Sequence, residues 1–168
     1  MIVTDIAELK LRNMKTEPEE VDMIIRKLED ELRASPRSGI GLAAPQIGIH
    51  KRVAIIRTKD HSIDLVNPVL VEQERGILVK GEGCLSLPRV SVDTLRFDEV
   101  FVRCDRNQAG IEATGLEAVA IQHEMDHLDG VLITDRTKMR DVGRNDPCPC
   151  GATDPSGKKI KFKKCHGR

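Results

Sequence analysis

Two histidines four residues apart, His123 and His127, stand inside a mostly apolar segment running from Leu116 to Leu128, and that placement restricts the architecture of the chain more than any other feature. Leu116, Val119, Ala120, Met125 and Leu128 recur at spacings that predict a buried helix, ended by Asp129-Gly130. A helix enclosed in this way must be wrapped by other elements, so its polar residues have to find partners indoors. Spacing of four sets both imidazoles on one face, a turn apart, where they can grip one divalent metal, with Glu124 beside them to take a proton from water. The same five residues, His123-Glu-Met-Asp-His127, also fit two surface histidines with charged neighbours, so a third ligand is what separates the two readings.

What surrounds this helix is set by length and by a shortage of aromatic bulk. The chain has 168 residues, enough for one compact domain of about 130 residues and a small appendage. With three Phe and neither Trp nor Tyr, the core has to be built from Val, Ile, Leu and Ala. Glu17-Pro18-Glu19-Glu20 opens a first helix with Thr16 as its expected N-cap, and Val21, Ile24, Ile25, Leu28 and Leu32 form its apolar stripe until Ser35-Pro36. Residues 39–48, glycine-rich yet apolar, predict a tight, partly buried loop. Short strands are expected over 52–57, 64–72, 76–83 and 99–105, with a turn over 107–110. Strands grouped between helices point to an α+β domain of mixed or antiparallel strands around the central histidine-bearing helix.

The third ligand comes from another distinctive stretch, Gly81-Glu-Gly-Cys84-Leu-Ser-Leu-Pro88. A glycine before the cysteine allows close backbone approach, and one thiolate with two imidazoles leaves a fourth position open, the arrangement of a catalytic rather than a closed structural site. Taken alone, Cys84 would read as a small buried residue at a strand end.

Three segments together, in order, resemble the peptide deformylases. Gly39-Ile-Gly-Leu-Ala-Ala-Pro-Gln46 is similar to the family's first motif, Glu82-Gly-Cys-Leu-Ser86 to its second, and Gln122-His-Glu-Met-Asp-His127 to its third. The likeness runs from about Gly39 to Arg136 and includes Val66-Asn67-Pro68. It implies removal of the N-formyl group from the initiator methionine of new polypeptides. By the same resemblance, Cys84, His123 and His127 hold the metal, Glu124 is the general acid/base, and Gln46 and the Leu85 backbone amide meet the oxyanion. Gly41, Leu42 and Gly83 then contact substrate. Fe(II) is the ion the resemblance implies, and Zn, Ni or Co suit the same donors. The chain departs from the family pattern before Gly39, which lacks a proline-rich opening, over Arg89 to Arg96, and at Ile133, where Phe is common.

After Met139 the composition changes. Cys148-Pro-Cys150, then fourteen residues, then Cys165-His166 supplies four ligands for a closed tetrahedral Zn, and nothing in this stretch could build an apolar core. It resembles the zinc-binding SEC-C tail of the preprotein-translocase ATPase. The expected division is a catalytic domain over 1–139 and a zinc-binding tail over 140–168. Residues 138–168 carry nine Lys or Arg against three Asp, a net of +6, so residues 1–137 carry −6 in a chain whose charges sum to zero. A basic tail on an acidic body suggests recruitment to the ribosome or a secretion chaperone through Lys158, Lys159, Lys161, Lys163 and Lys164. No apolar run approaches the roughly 20 residues of a membrane helix, and the N-terminus does not read as a secretory signal, so a cytoplasmic location is expected. The principal rival is a metal-stabilised adaptor that binds nascent chains or ribosomes without catalysis; an ordinary zinc peptidase would need a downstream ligand, and the tail claims His166.

Overall fold

A computed structural model describes residues 1–136, 144–148 and 153–165. After a single turn of helix, α1 (Ile6–Leu9), the chain forms α2 (Pro18–Ala34) and the short strand β1 (Gly41–Ala43), followed by a 3-10 turn over Ala44–Ile47. Then come β2 (Val53–Arg57), β3 (Ser62–Val66), the long β4 (Val69–Cys84) and β5 (Leu87–Cys104), β6 (Asn107–Thr114) and α3 (Gly115–Leu128). A 3-10 turn over Ile133–Arg136 and a last helical turn, α4 (Phe162–Cys165), complete the described elements. No described helix is long and apolar enough to cross a membrane.

The strands make two antiparallel sheets, ordered β1-β2-β3 and β4-β5-β6. Strand β2 is buried on both faces because its side chains alternate between two cores. Val53 and Ile55 pack with Val21, Ile24, Ile25 and Leu28 of α2, whereas Ala54 and Ile56 face Ala118, Ile121, Met125 and Leu128 of α3. Phe97, Val100 and Val102 of β5 close over α3 from the second sheet. The order of layers is therefore α2, first sheet, α3, second sheet. Burying each of the α2 residues against the sheet contributes about 1.5–3 kcal/mol, which is why an amphipathic stripe suffices to hold that helix. The central helix is tied down by polar bonds as well: Gln122 Nε2 donates to Phe97 O at 2.7 Å and to Ala118 O at 2.9 Å, and Gln122 Oε1 accepts from Phe97 N–H at 2.9 Å.

Several local expectations are corrected. Pro18 at the first helical position makes Glu17, not Thr16, the N-cap, in extended conformation with Glu20 accepting its N–H at 3.4 Å. Thr16 instead exchanges backbone hydrogen bonds with the Asn67 side chain at 2.9 and 3.0 Å. Residues 41–47, expected as loop, form β1 and a 3-10 turn. The fragments expected over 64–72, 76–83 and 99–105 are parts of β3, β4 and β5, and β4 and β5 pair along one long hairpin with bulges after Leu70, Val79 and Gly83. The turn comes at Asp105-Arg106, since Cys104 already pairs with Asn107. Leu116, expected in the core, is 67% exposed.

Candidate active site

Three elements that are distant in sequence deliver the chemistry to one place. Cys84 ends β4, His123 and His127 lie one turn apart on α3, and Gln46 hangs from the 3-10 turn after β1. Donor atoms of Cys84, His123 and His127 all lie within 4.8 Å of one another, with Cys84 Sγ 3.2 Å from His127 Nε2. The two imidazole rings are 5.0 Å apart between centroids and inclined by 71°, so their edges converge instead of stacking. One thiolate and two imidazoles are the donors that borderline divalent ions such as Fe(II), Co(II), Ni(II) and Zn(II) accept.

The buried surroundings fit an ion as well. Glu82 Oε1 binds His123 Nδ1 at 2.6 Å, which leaves the other ring nitrogen as the one available to a metal. Glu82 is in turn gripped by Arg96, whose Nε and Nη2 donate at 2.9 and 2.5 Å, and by the Thr94 hydroxyl. Arg96, 2% exposed, also donates through Nη1 to Asp126 Oδ2 at 2.6 Å, and Arg136 Nε donates to the same oxygen at 2.7 Å. A chain of charge-assisted bonds thus runs from the second sheet and the Ile133–Arg136 turn to the back of a metal-ligand histidine.

Electrostatics differ sharply between the two imidazoles of the metal-free site. Burial opposes charge on both. For His123, hydrogen bonds to Cys84 and Glu82 outweigh burial and raise it to about 10. For His127, burial and then the charges of His123 and Arg96 outweigh the opposing Glu82 and lower it to about 3. Glu82 is held well below the ordinary carboxylate range: burial works against this, but His123 and Arg96 prevail. Glu124 is raised to about 7, chiefly by burial, and its Oε2 has no hydrogen-bond partner among the described residues.

Gln46 is 1% exposed and has its amide orientation fixed. Its Oε1 accepts from Ala43 N–H at 2.8 Å, which turns Nε2 toward Cys84 Sγ at 3.6 Å and Ser86 Oγ at 3.2 Å. Gly41 touches the site through what it lacks, because a Cβ there would collide with the Glu124 carboxylate. Leu85 sits in the turn between β4 and β5, where Arg37 Nη1 donates to its carbonyl at 3.1 Å. A cleft of about 550 Å³ opens over these groups, with Ile40, Leu85, Val90, Leu116 and Val119 on its apolar side. Gly41, Gly83 and Leu85 line it. Leu42 does not: its side chain packs fully buried on the α2 side of the first sheet.

Sequence reasoning passed over Glu82 as a site residue, and over Arg96, Asp126 and Arg136. Glu82 and Asp126 were inside the quoted motifs, so their adjacency to ligands was available as a signal; Arg96 and Arg136 gave none.

The polypeptide deformylase family model matches residues 4–145. The chain belongs to this family. It is 46% identical to peptide deformylase 1 of Bacillus subtilis over 125 residues, which cover 68% of this chain and 76% of that one. It is 40% identical over 156 residues to the peptide deformylase of Symbiobacterium thermophilum, covering 86% and 70%. Among solved structures, peptide deformylase from Thermotoga maritima superposes with a TM-score of 0.72 at 29% identity, covering 82% of this chain and 97% of that one. A Synechococcus elongatus peptide deformylase in complex with actinonin gives 0.72 at 34% identity over 83% and 79%. The enzyme is therefore a metallo-hydrolase that removes N-formyl groups, built on the α+β deformylase fold with its metal-site histidines on α3. Formylated nascent peptides are the substrate the family implies.

Of the expected tail ligands, Cys150 and His166 lie outside the described residues. Cys148 is buried, and its N–H bonds Ile160 O at 2.8 Å where Pro147 pairs antiparallel with Lys161. Cys165, at the end of α4, packs against the core cluster around α3.

Proposed function

We propose that Glu124, Gln46 and the Leu85 amide carry out deformylation around an ion held by Cys84, His123 and His127. When bound, the ion supplies Lewis-acid activation of water at neutral pH. Glu124 takes a proton from the attacking water as its oxygen adds to the formyl carbon, then returns it to the peptide nitrogen as the C–N bond breaks, leaving formate and a free amine. A carboxyl held near 7 by burial can do both. The Gln46 amide, locked by Ala43, and Leu85 N–H donate to the oxygen that gains charge. Gly41 leaves the space Glu124 needs, and Gly83, with no atom within 4 Å of a Cβ position, leaves room for a peptide backbone along the cleft; Leu42 contributes to substrate binding by its main chain alone.

The observation that carries this reading is the buried Glu124 carboxyl, its Oε2 without a hydrogen-bond partner among the described residues, beside the three converging ligands. Anaerobic formate release from a formyl-Met peptide by Fe(II)-loaded enzyme tests it. Glu124→Ala should lower kcat by about 10²- to 10⁴-fold, and Gln46→Ala by about 10²- to 10³-fold, with KM little changed. If Gln46→Ala raised KM alone, its assignment would be wrong. If no protein released formate while the ligands still held metal, the adaptor reading would replace this one.

For residues 140–168 the reading is a second, structural Zn on Cys148, Cys150, Cys165 and His166, separate from the catalytic domain over 1–139. Supporting it are the burial of Cys148 beside the Pro147–Lys161 pairing and a tail sequence poor in apolar residues. Its lysines would recruit the enzyme to the ribosome or a secretion chaperone.

A further inference from the structure

The cleft over the metal-ligand set carries charge of one sign that the reaction does not use. Besides the ligands, its charged lining side chains are Glu82, Glu124, Arg37, Lys80 and Arg89. Glu82 is committed to His123 and Arg96, and Glu124 is buried beneath the cleft. The three cations are exposed, and none lies within 4 Å of a carboxylate among the described residues. They gather here on a body, residues 1–137, whose net charge is −6.

Backbone geometry singles out two of them. The β4–β5 ladder is irregular at two places in this wall. Val79 pairs with Thr94 but Glu82 with Val92, which leaves Lys80 in the first bulge; Gly83 pairs with Ser91 but Cys84 with Leu87, which leaves Arg89 in the second. Bulges beside active sites re-aim side chains. Arg89 also has φ +68, a left-handed conformation that glycine adopts freely and arginine does not. An arginine kept where the backbone favours glycine points to a use for its side chain. Arg37, for its part, is held at the cleft by its bond to Leu85 O.

We propose that Arg89, with Lys80 and Arg37, makes this cleft select formyl peptides that carry an acidic side chain within the first few residues after formyl-methionine, Arg89 being the specificity-determining residue. This rests on the formyl-peptide reading above. A cation about 6 Å from a substrate carboxylate, across largely aqueous surroundings, changes affinity by about 3- to 10-fold. The preference should be expressed in KM and be screened by salt.

The test compares C-terminally amidated formyl-Met peptides with Asp, Gln or Lys at the second or third position, hydrolysed by metal-loaded full-length enzyme. At an ionic strength of about 20 mM, kcat/KM should fall in the order Asp, Gln, Lys, with Asp over Gln by about 3- to 10-fold, and the ratio should shrink toward one at about 0.5 M salt. Arg89→Gly, which relaxes the backbone, should reduce the ratio, and Arg89→Lys should retain it. Equal use of the Asp and Gln peptides at low salt overturns the proposal without recourse to any variant. A full preference in Arg89→Gly removes Arg89 as its determinant. Formate from none of the peptides would instead overturn the formyl-peptide reading itself.

Discussion

Glu124 is the residue on which placement and chemistry depend most directly. Burial raises its carboxyl from its ordinary 4.5 to about 7 in the metal-free chain, so the folded state binds this proton more tightly than the unfolded state does. The associated stability is fully present below pH 4.5 and is lost as pH rises through about 7. Metal-free Glu124→Gln cannot ionise and escapes that loss. Relative to wild type it should be no more stable at pH 4 and up to about 3 kcal/mol more stable at pH 8, read from urea unfolding at both values. Equal differences at the two pH values would show that burial does not perturb Glu124. Gly41 controls the same carboxylate by geometry. Gly41→Ala puts a methyl against it, and a displacement of about 1 Å should reduce kcat by about 10²-fold. Metal content should be unchanged, because the atoms nearest a Cβ at Gly41 are those of Glu124 and not of the metal ligands.

At the level of elements, β5 and α3 are joined by buried charge as well as by apolar packing. Arg96 bridges Glu82 on β4 and Asp126 on α3 while being almost sealed from water. Arg96→Leu would take the shared guanidinium from two buried carboxylates, leaving Asp126 with Arg136 alone and Glu82 with His123 and Thr94, and should cost about 3–5 kcal/mol by chemical denaturation. Arg96→Lys should recover little, since a single ammonium cannot reproduce the guanidinium fork that spans both acids. A loss under about 1 kcal/mol for Arg96→Leu would mean that water reaches the pair. These elements were unequally legible in the sequence. Helices α2 and α3 were readable because their apolar residues keep the helical period over three turns or more. Strands β4 and β5 were visible only in pieces, because Gln73-Glu74-Arg75 in β4 and Asp93, Arg96 and Asp98 in β5 interrupt the apolar pattern and cross-strand pairing holds what local preference does not. The Asp105-Arg106 turn has no glycine, while Asn107 bonding Gly110 N–H at 3.1 Å imitates a turn inside β6. Leu116 fits the helical stripe yet lines the cleft, so function and not core packing accounts for it.

Across the whole molecule, charge is segregated more strongly than a net of zero suggests. Acidic residues dominate 1–137 and basic residues 138–168, a contrast visible in the sequence because it depends on composition alone. The catalytic ligands were also visible, since three short motifs encode them; the supports behind them were not, because Arg96 and Arg136 reach the site only through folding. An acidic body should be repelled by a polyanion such as ribosomal RNA, so any electrostatic attraction has to come from the tail. If about five of its lysines each neutralise a phosphate, binding should weaken by about 10²- to 10³-fold between 50 and 200 mM salt. The full chain should therefore co-sediment with ribosomes at low salt and be released as salt rises. A chain ending at residue 141 should stay in the supernatant throughout while still releasing formate from a formyl-Met peptide, since the catalytic ligands precede that point. A zinc chelator mild enough to spare the catalytic ion should reproduce the loss of co-sedimentation, if the proposed tail ion is what holds the tail in its binding form. Co-sedimentation of the shortened chain at undiminished level would show that the body, not the tail, makes the contact.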